Sequence, residues 1–141
     1  MTKEEKKELL LKDLCARLPY GVIALVKLKD KYDDIVKRKL EITEGNVAKV
    51  FNIGNNNWYD CKPYLRPISS MTKEEDEEYR NIDNQSYSCP KDYAHIPAQE
   101  RIDWLNAHHF DYRGLIEKDL AIKVTEENNP YKEYNYDTKK I

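Results

Sequence analysis

Glycine, phenylalanine and paired cysteine are scarce or missing in this chain. Four glycines and six prolines in 141 residues leave little flexible linker, so most of the chain has to be ordered by side chains. The three cysteines, Cys15, Cys61 and Cys89, are odd in number and widely spaced. No C-x-x-C pair exists, which removes the zinc-knuckle and dithiol-redox classes and leaves three reduced thiols as the reading. No run approaches 18 apolar residues, and the opening Met1-Thr2-Lys3-Glu4-Glu5 has no apolar signal core. A soluble protein made in the cytoplasm, without membrane attachment, is therefore expected. A basic excess is missing too. The net charge is −2 with a pI near 6.0, so non-specific nucleic-acid wrapping, which rests on phosphate neutralisation, is disfavoured. No G-x-S-x-G, P-loop or dinucleotide fingerprint occurs, and no cofactor or metal site is expected.

What is present is polar but foldable: 35% charged, 40% hydrophobic, mean hydropathy −0.90. Eleven tyrosines against two phenylalanines make the aromatic bulk amphipathic, able to pack on one side and hydrogen-bond at the tip. The length suits one domain with a modest core. The expected organisation is a single α+β domain over 1–124 and a loose polar tail over 125–141, where aliphatic residues all but disappear.

Local patterns outline the elements. Thr2 and Glu5 form a capping box for a first helix, with Leu10, Leu11, Leu14, Cys15 and Leu18 on its stripe and a stop at Pro19. Short strands are predicted at Val22 to Leu28 and Ile35 to Ile42. Glu44-Gly45-Asn46 reads as a hairpin turn into a returning strand over Val47 to Ile53, and another strand is placed around Trp58 to Cys61. Together they suggest a small antiparallel sheet or SH3-like barrel. Thr72 and Glu75 repeat the capping box for an acidic surface helix running to about Ile82. Residues 83–97 read as a loop and Pro97 as the first turn of a helix reaching His109. Asp111 is placed as N-cap of a short helix through Lys118, and Leu120 to Val124 as a closing strand.

The stretch from Lys62 to Ser70 joins the strand-rich half to the helical half. In an extended chain Lys62, Tyr64 and Arg66 share one side, and Ser69 and Ser70 stand at the next helix start. A cation, a ring and a guanidinium together suit a phosphate or a nucleobase. Equally, they suit a rigid connector whose arginine pairs with the acidic helix. His108 and His109 point about 100° apart on a helix and lack the i, i+4 spacing of zinc ligands, so His109 reads as a packed histidine. Tyr112 and Arg113 are better placed to hold an anion or to brace Asp111.

Three segments carry a resemblance: Leu18-Pro19-Tyr20-Gly21-Val22, Lys62-Pro63-Tyr64-Leu65-Arg66-Pro67-Ile68-Ser69-Ser70-Met71-Thr72, and His109-Phe110-Asp111-Tyr112-Arg113-Gly114-Leu115-Ile116. Over roughly residues 10–124 the chain resembles a large uncharacterised family of small proteins from gut Bacteroidota, their phages and other mobile elements. Asp119 stands where that family has glycine, and it can adopt the same left-handed cap. The resemblance implies a common fold and a mobile-element setting. In that setting the expected role is a non-enzymatic accessory protein. It would bind a nucleotide-like phosphorylated small molecule through Lys62, Tyr64, Arg66, Ser69, Ser70, His109, Asp111, Tyr112 and Arg113, and could sequester a host defence signal. The alternative is an interaction module docking a host or phage protein, compatible with homo-oligomerisation. A nucleic-acid binder and a His109/Asp111 hydrolase rank below both.

Overall fold

The first helix, α1 (Lys3–Arg17), starts where its capping box predicts: the Thr2 hydroxyl accepts from Glu5 N at 3.1 Å, and Thr2 N donates to the Glu5 carboxylate at 3.4 Å. Its inner face differs from the expected stripe. Leu10 and Leu14 are buried, but so are Asp13 and Arg17, whereas Cys15 is exposed. A 3₁₀ turn (Leu18–Tyr20) and Gly21 in the left-handed region (φ 71°) then reverse the chain. A Cβ at Gly21 would lie 3.0 Å from the Glu41 carboxylate.

The computed structural model describes residues 1–131. It has an α+β fold: an N-terminal helix, a mixed and mostly antiparallel sheet, and C-terminal helices. Strands β1 (Ile23–Lys29) and β2 (Ile35–Glu41) pair antiparallel, Ile23 opposite Glu41 and Lys29 opposite Ile35. The predicted hairpin after β2 is not formed. Asn46 closes a turn on the Thr43 backbone instead: Thr43 N donates to Asn46 Oδ1 at 2.8 Å, and Asn46 N and Val47 N donate to Thr43 O at 3.2 and 3.0 Å. These bonds start a helical turn, α2 (Val47–Phe51), which buries Val50. Val47 and Val50 are three apart, a helical spacing.

The place beside β1 goes to β3 (Trp58–Pro67), ten residues long. It absorbs the segment expected to be a junction. Residues 58–63 pair antiparallel with β1, Ala24 opposite Pro63. Proline has no N–H to continue a ladder. Beyond it the strand takes new, parallel partners: β5 (Ile122–Lys123) at Tyr64 and Leu65, and β4 (Phe110–Asp111) at Arg66 and Pro67. The order is β2-β1-β3-β4, with β5 also on β3. Among the described residues β2 pairs with β1 alone, so these pairings leave the sheet open.

Helix α3 (Lys73–Ser88) begins on the predicted Thr72–Glu75 box and continues well past Ile82. A 3₁₀ turn (Lys91–Tyr93) leads to α4 (His95–Ala107), with Pro97 in its first turn. Over residues 112–121 the chain makes turns and no regular helix. The Asp111 carboxylate nevertheless accepts from Leu115 N and Ile116 N at 3.0 Å each, a cap without its helix. Asp119 has φ 59°, the left-handed position its glycine-like role requires.

Alternation along the strands sorts the core into two faces. One packs Val22, Ala24, Val26, Trp58, Cys61 and Leu65 under α1 and α2. The other groups Tyr64 and Val124 with Tyr131. Residues of the expected tail thus return to the sheet, because a tyrosine ring fills the apolar face and its hydroxyl reaches the backbone. The rest of that tail, 132–141, lies outside the described residues. Among the described residues no helix is long and apolar enough to cross a membrane.

Candidate functional site

Pairing of β3 with β4 brings most of the predicted site residues together, but with their charges already matched. Arg66 makes a bidentate pair with Glu75 at 2.6 and 2.7 Å, and its guanidinium lies 4.2 Å from the centre of the Phe110 ring. Lys62 pairs with Asp119 at 3.1 Å in an open, weakly held contact. Tyr64 is buried, and its carbonyl accepts a hydrogen bond from the Tyr131 hydroxyl at 2.6 Å. Ser69 is exposed, while the Ser70 hydroxyl turns back to donate to Pro67 O at 2.7 Å.

On the other side of Phe110 stands a buried network. Asp13 and Arg17, both fully buried, are joined at 2.8 and 3.1 Å, and Arg17 also donates to Phe110 O at 2.6 Å. Arg113 adds a second guanidinium on Asp13 at 3.0 Å. Both arginines rest on the Tyr112 ring, whose hydroxyl donates to Asn106 Oδ1 at 2.9 Å. His109 is past the end of α4, in the left-handed region at φ 63°, with its ring stacked on Tyr131 at 3.6 Å between centroids. Asp111 has both oxygens on backbone donors. His109 and Asp111 therefore serve the packing of this junction.

Two titratable groups here make stability pH-dependent, in windows that overlap only below pH 4.5. Burial, aided by the nearby Arg17 charge, drops the His109 pKa to about 3 from its ordinary 6.5. The unfolded chain takes up that proton first, so stability holds above pH 6.5 and declines as the pH falls toward 3. The Arg66 hydrogen bonds hold Glu75 at about 2 rather than 4.5, so its contribution is complete above 4.5 and lost below. Urea midpoints measured against pH should then separate the two. His109→Asn, whose side chain tolerates positive φ, should flatten the curve between pH 6.5 and 4.5, and Glu75→Gln only the part below 4.5. Equal slopes in wild type and variant would contradict the assignment. Cys61 is packed in the core, and burial raises its thiol to about 12, which makes it inert.

A different group of cations faces solvent without such partners. Between the end of the β1–β2 hairpin, α2 and the start of β3 lies an open cleft of about 670 Å³. Its floor includes Leu28, Leu40 and Trp58, and its rim carries Lys31, Arg38 and Lys49. Among the described residues no carboxylate forms an ion pair with any of these three. Lys49 lies 5.8 Å from the centre of the Trp58 ring and Lys31 5.1 Å from that of Tyr32. Asp30, the acid in the lining, accepts from Tyr32 N at 2.8 Å and Asp34 N at 3.0 Å, which offsets its charge and fixes the hairpin end. Fourth among the cations, Lys29 has a loose 3.6 Å contact with the exposed Asp33.

Sequence reasoning missed this cleft because its parts come from three elements with no shared spacing. The Lys37-Arg38-Lys39 run was the one local sign, and alternation along β2 sends only Arg38 to the cleft side. Among the described residues no group of three or more His, Cys, Asp and Glu comes together as a metal site would require. Comparisons with family models, curated proteins and solved structures find no match to this chain.

Proposed function

We propose that this is a non-enzymatic binding protein that holds a phosphate-bearing small molecule in the cleft between the β1–β2 hairpin, α2 and β3. One observation carries the reading: Lys31, Arg38 and Lys49 line the cleft with no carboxylate partner among the described residues, whereas Arg66 and Arg113 are neutralised. Unpaired cations over an apolar floor form a site for an anion, because a low-dielectric wall strengthens their pull. The volume falls within the usual range for small-ligand clefts. The nine residues from Lys62 to Arg113 act in this reading as the brace that fixes β3 and hence the cleft's Trp58 edge. The resemblance to small phage and mobile-element proteins fits sequestration of a phosphorylated host signal.

Calorimetry with inorganic pyrophosphate tests the reading. Binding should weaken with added salt, and Lys49→Gln or Arg38→Gln should each reduce affinity about tenfold, the effect of losing one charge-assisted contact of roughly 1.5 kcal/mol. Lys62→Gln, whose cation is already paired, should leave binding unchanged. No heat at low ionic strength, or equal losses from all three variants, would refute the site.

A second reading, docking of a protein partner, has one observation in its favour. Strand β2 is an edge of the sheet, and Ile35 at its start is 58% exposed. Recovery of a stoichiometric protein partner without a bound small molecule would shift the assignment to it.

A further inference from the structure

The cleft also carries information on which phosphorylated molecule it would take. This rests on the anion-binding reading above. We infer that its ligand is a nucleoside diphosphate, with the diphosphate between Lys31, Arg38 and Lys49 and the base stacked on Tyr32.

Charge selects the phosphate part. A single phosphate monoester carries about −1.5 to −2 at neutral pH, less than the three unpaired cations supply. Adding a second phosphate brings the ligand to a matching charge and extends it along the rim. A neutral nucleoside would leave all three cations unanswered.

Exposure selects the stacking surface. Trp58 is 5% exposed, so it is part of the floor and has no face for a base. Tyr32 is 72% exposed, the most exposed of the large apolar side chains among the described residues, so its ring is accessible to a base. Its backbone is held in place: Asp30 Oδ1 takes the backbone N–H of Tyr32 and of Asp34, and Asp33 between them adopts φ 64°. An exposed aromatic ring on a fixed backbone, beside unpaired cations, is the arrangement that binds a nucleotide by its base and its charge together. Base–aromatic stacking of this kind is tolerant of base identity.

The experiment compares ADP, inorganic pyrophosphate and adenosine on the full chain by calorimetry, with chelator present. ADP should bind roughly tenfold more tightly than pyrophosphate, the effect of one stacked base. Adenosine should bind far more weakly than either. Tyr32→Ala should bring ADP down to the pyrophosphate level and leave pyrophosphate itself unchanged. Being at an exposed hairpin end, this substitution leaves the core intact. If ADP and pyrophosphate bind equally, or Tyr32→Ala weakens both alike, the nucleoside inference is overturned while the anion site stands. If neither ADP nor pyrophosphate binds, both fall.

Discussion

Asp13→Ala should destabilise the fold by about 3–5 kcal/mol, the cost of removing one partner from a buried ion pair. Arg17 is fully buried and Arg113 largely so, and Asp13 is the carboxylate that both arginines bond. Without it two guanidinium groups face each other across a dry junction, and Arg17 keeps only its bond to Phe110 O. Total stability of a native protein is on the order of 5–15 kcal/mol, so the variant would sit near the unfolding threshold. Its melting temperature should fall by roughly 10 °C or more. The charge, and not merely the missing volume, is the cause. An apolar pair at the same places, Asp13→Leu with Arg17→Met, should therefore recover much of the loss. A fall of less than 1 kcal/mol for Asp13→Ala in urea denaturation would mean the network is not held as described.

The second large effect is at Tyr131. Its hydroxyl sits where β1 and β3 part company after Pro63, donating to Tyr64 O at 2.6 Å and accepting from Ile23 N at 3.0 Å. Its ring is buried against Tyr64 and Val124 and stacked on His109. Tyr131→Phe keeps the ring but leaves the Ile23 N–H and the Tyr64 carbonyl without this partner, a cost of about 1–3 kcal/mol. Tyr131→Ala also empties the ring's place in the second core cluster, and about 3–5 kcal/mol is expected. Hydrogen exchange separates the two contributions: the Ile23 amide should lose protection in both variants, and Val26, deep in the β1–β3 ladder, in the alanine variant alone. Unchanged exchange at Ile23 in Tyr131→Phe would count against the bridge.

Residues 3–17 and 73–82 were legible as helices because a capping box is a local device, its bonds spanning three residues, and both boxes form as written; 83–88 read as loop but continue the second helix. The strands β1 and β2 were legible from their short β-branched and alternating runs. Val47 to Ile53 was misread because valine-rich segments fit either a strand or a buried helical turn, and the Thr43–Asn46 bonds decided for the helix. Lys62 to Pro67 was misread as a connector because its two prolines argue against a central strand. Only the change of partners at Pro63 makes them compatible with one.

The same division holds for the candidate site. Residue types in sequence marked Lys62, Arg66 and Arg113 as cations fit for an anion. Glu75 of the acidic helix, nine residues on, takes Arg66 as the connector reading had it, while the distant Asp119 and Asp13 take Lys62 and Arg113, and no local pattern announces a partner 57 or 100 residues away. Lys31, Arg38 and Lys49 looked ordinary in sequence and form the open cleft through the packing of hairpin against helix. By itself the sequence determined the caps, the turns and the helix-rich and strand-rich halves, since those follow from bonds within a few residues. Tertiary structure alone decided which charges stay free, because whether a cation is paired depends on which groups folding brings within reach of it.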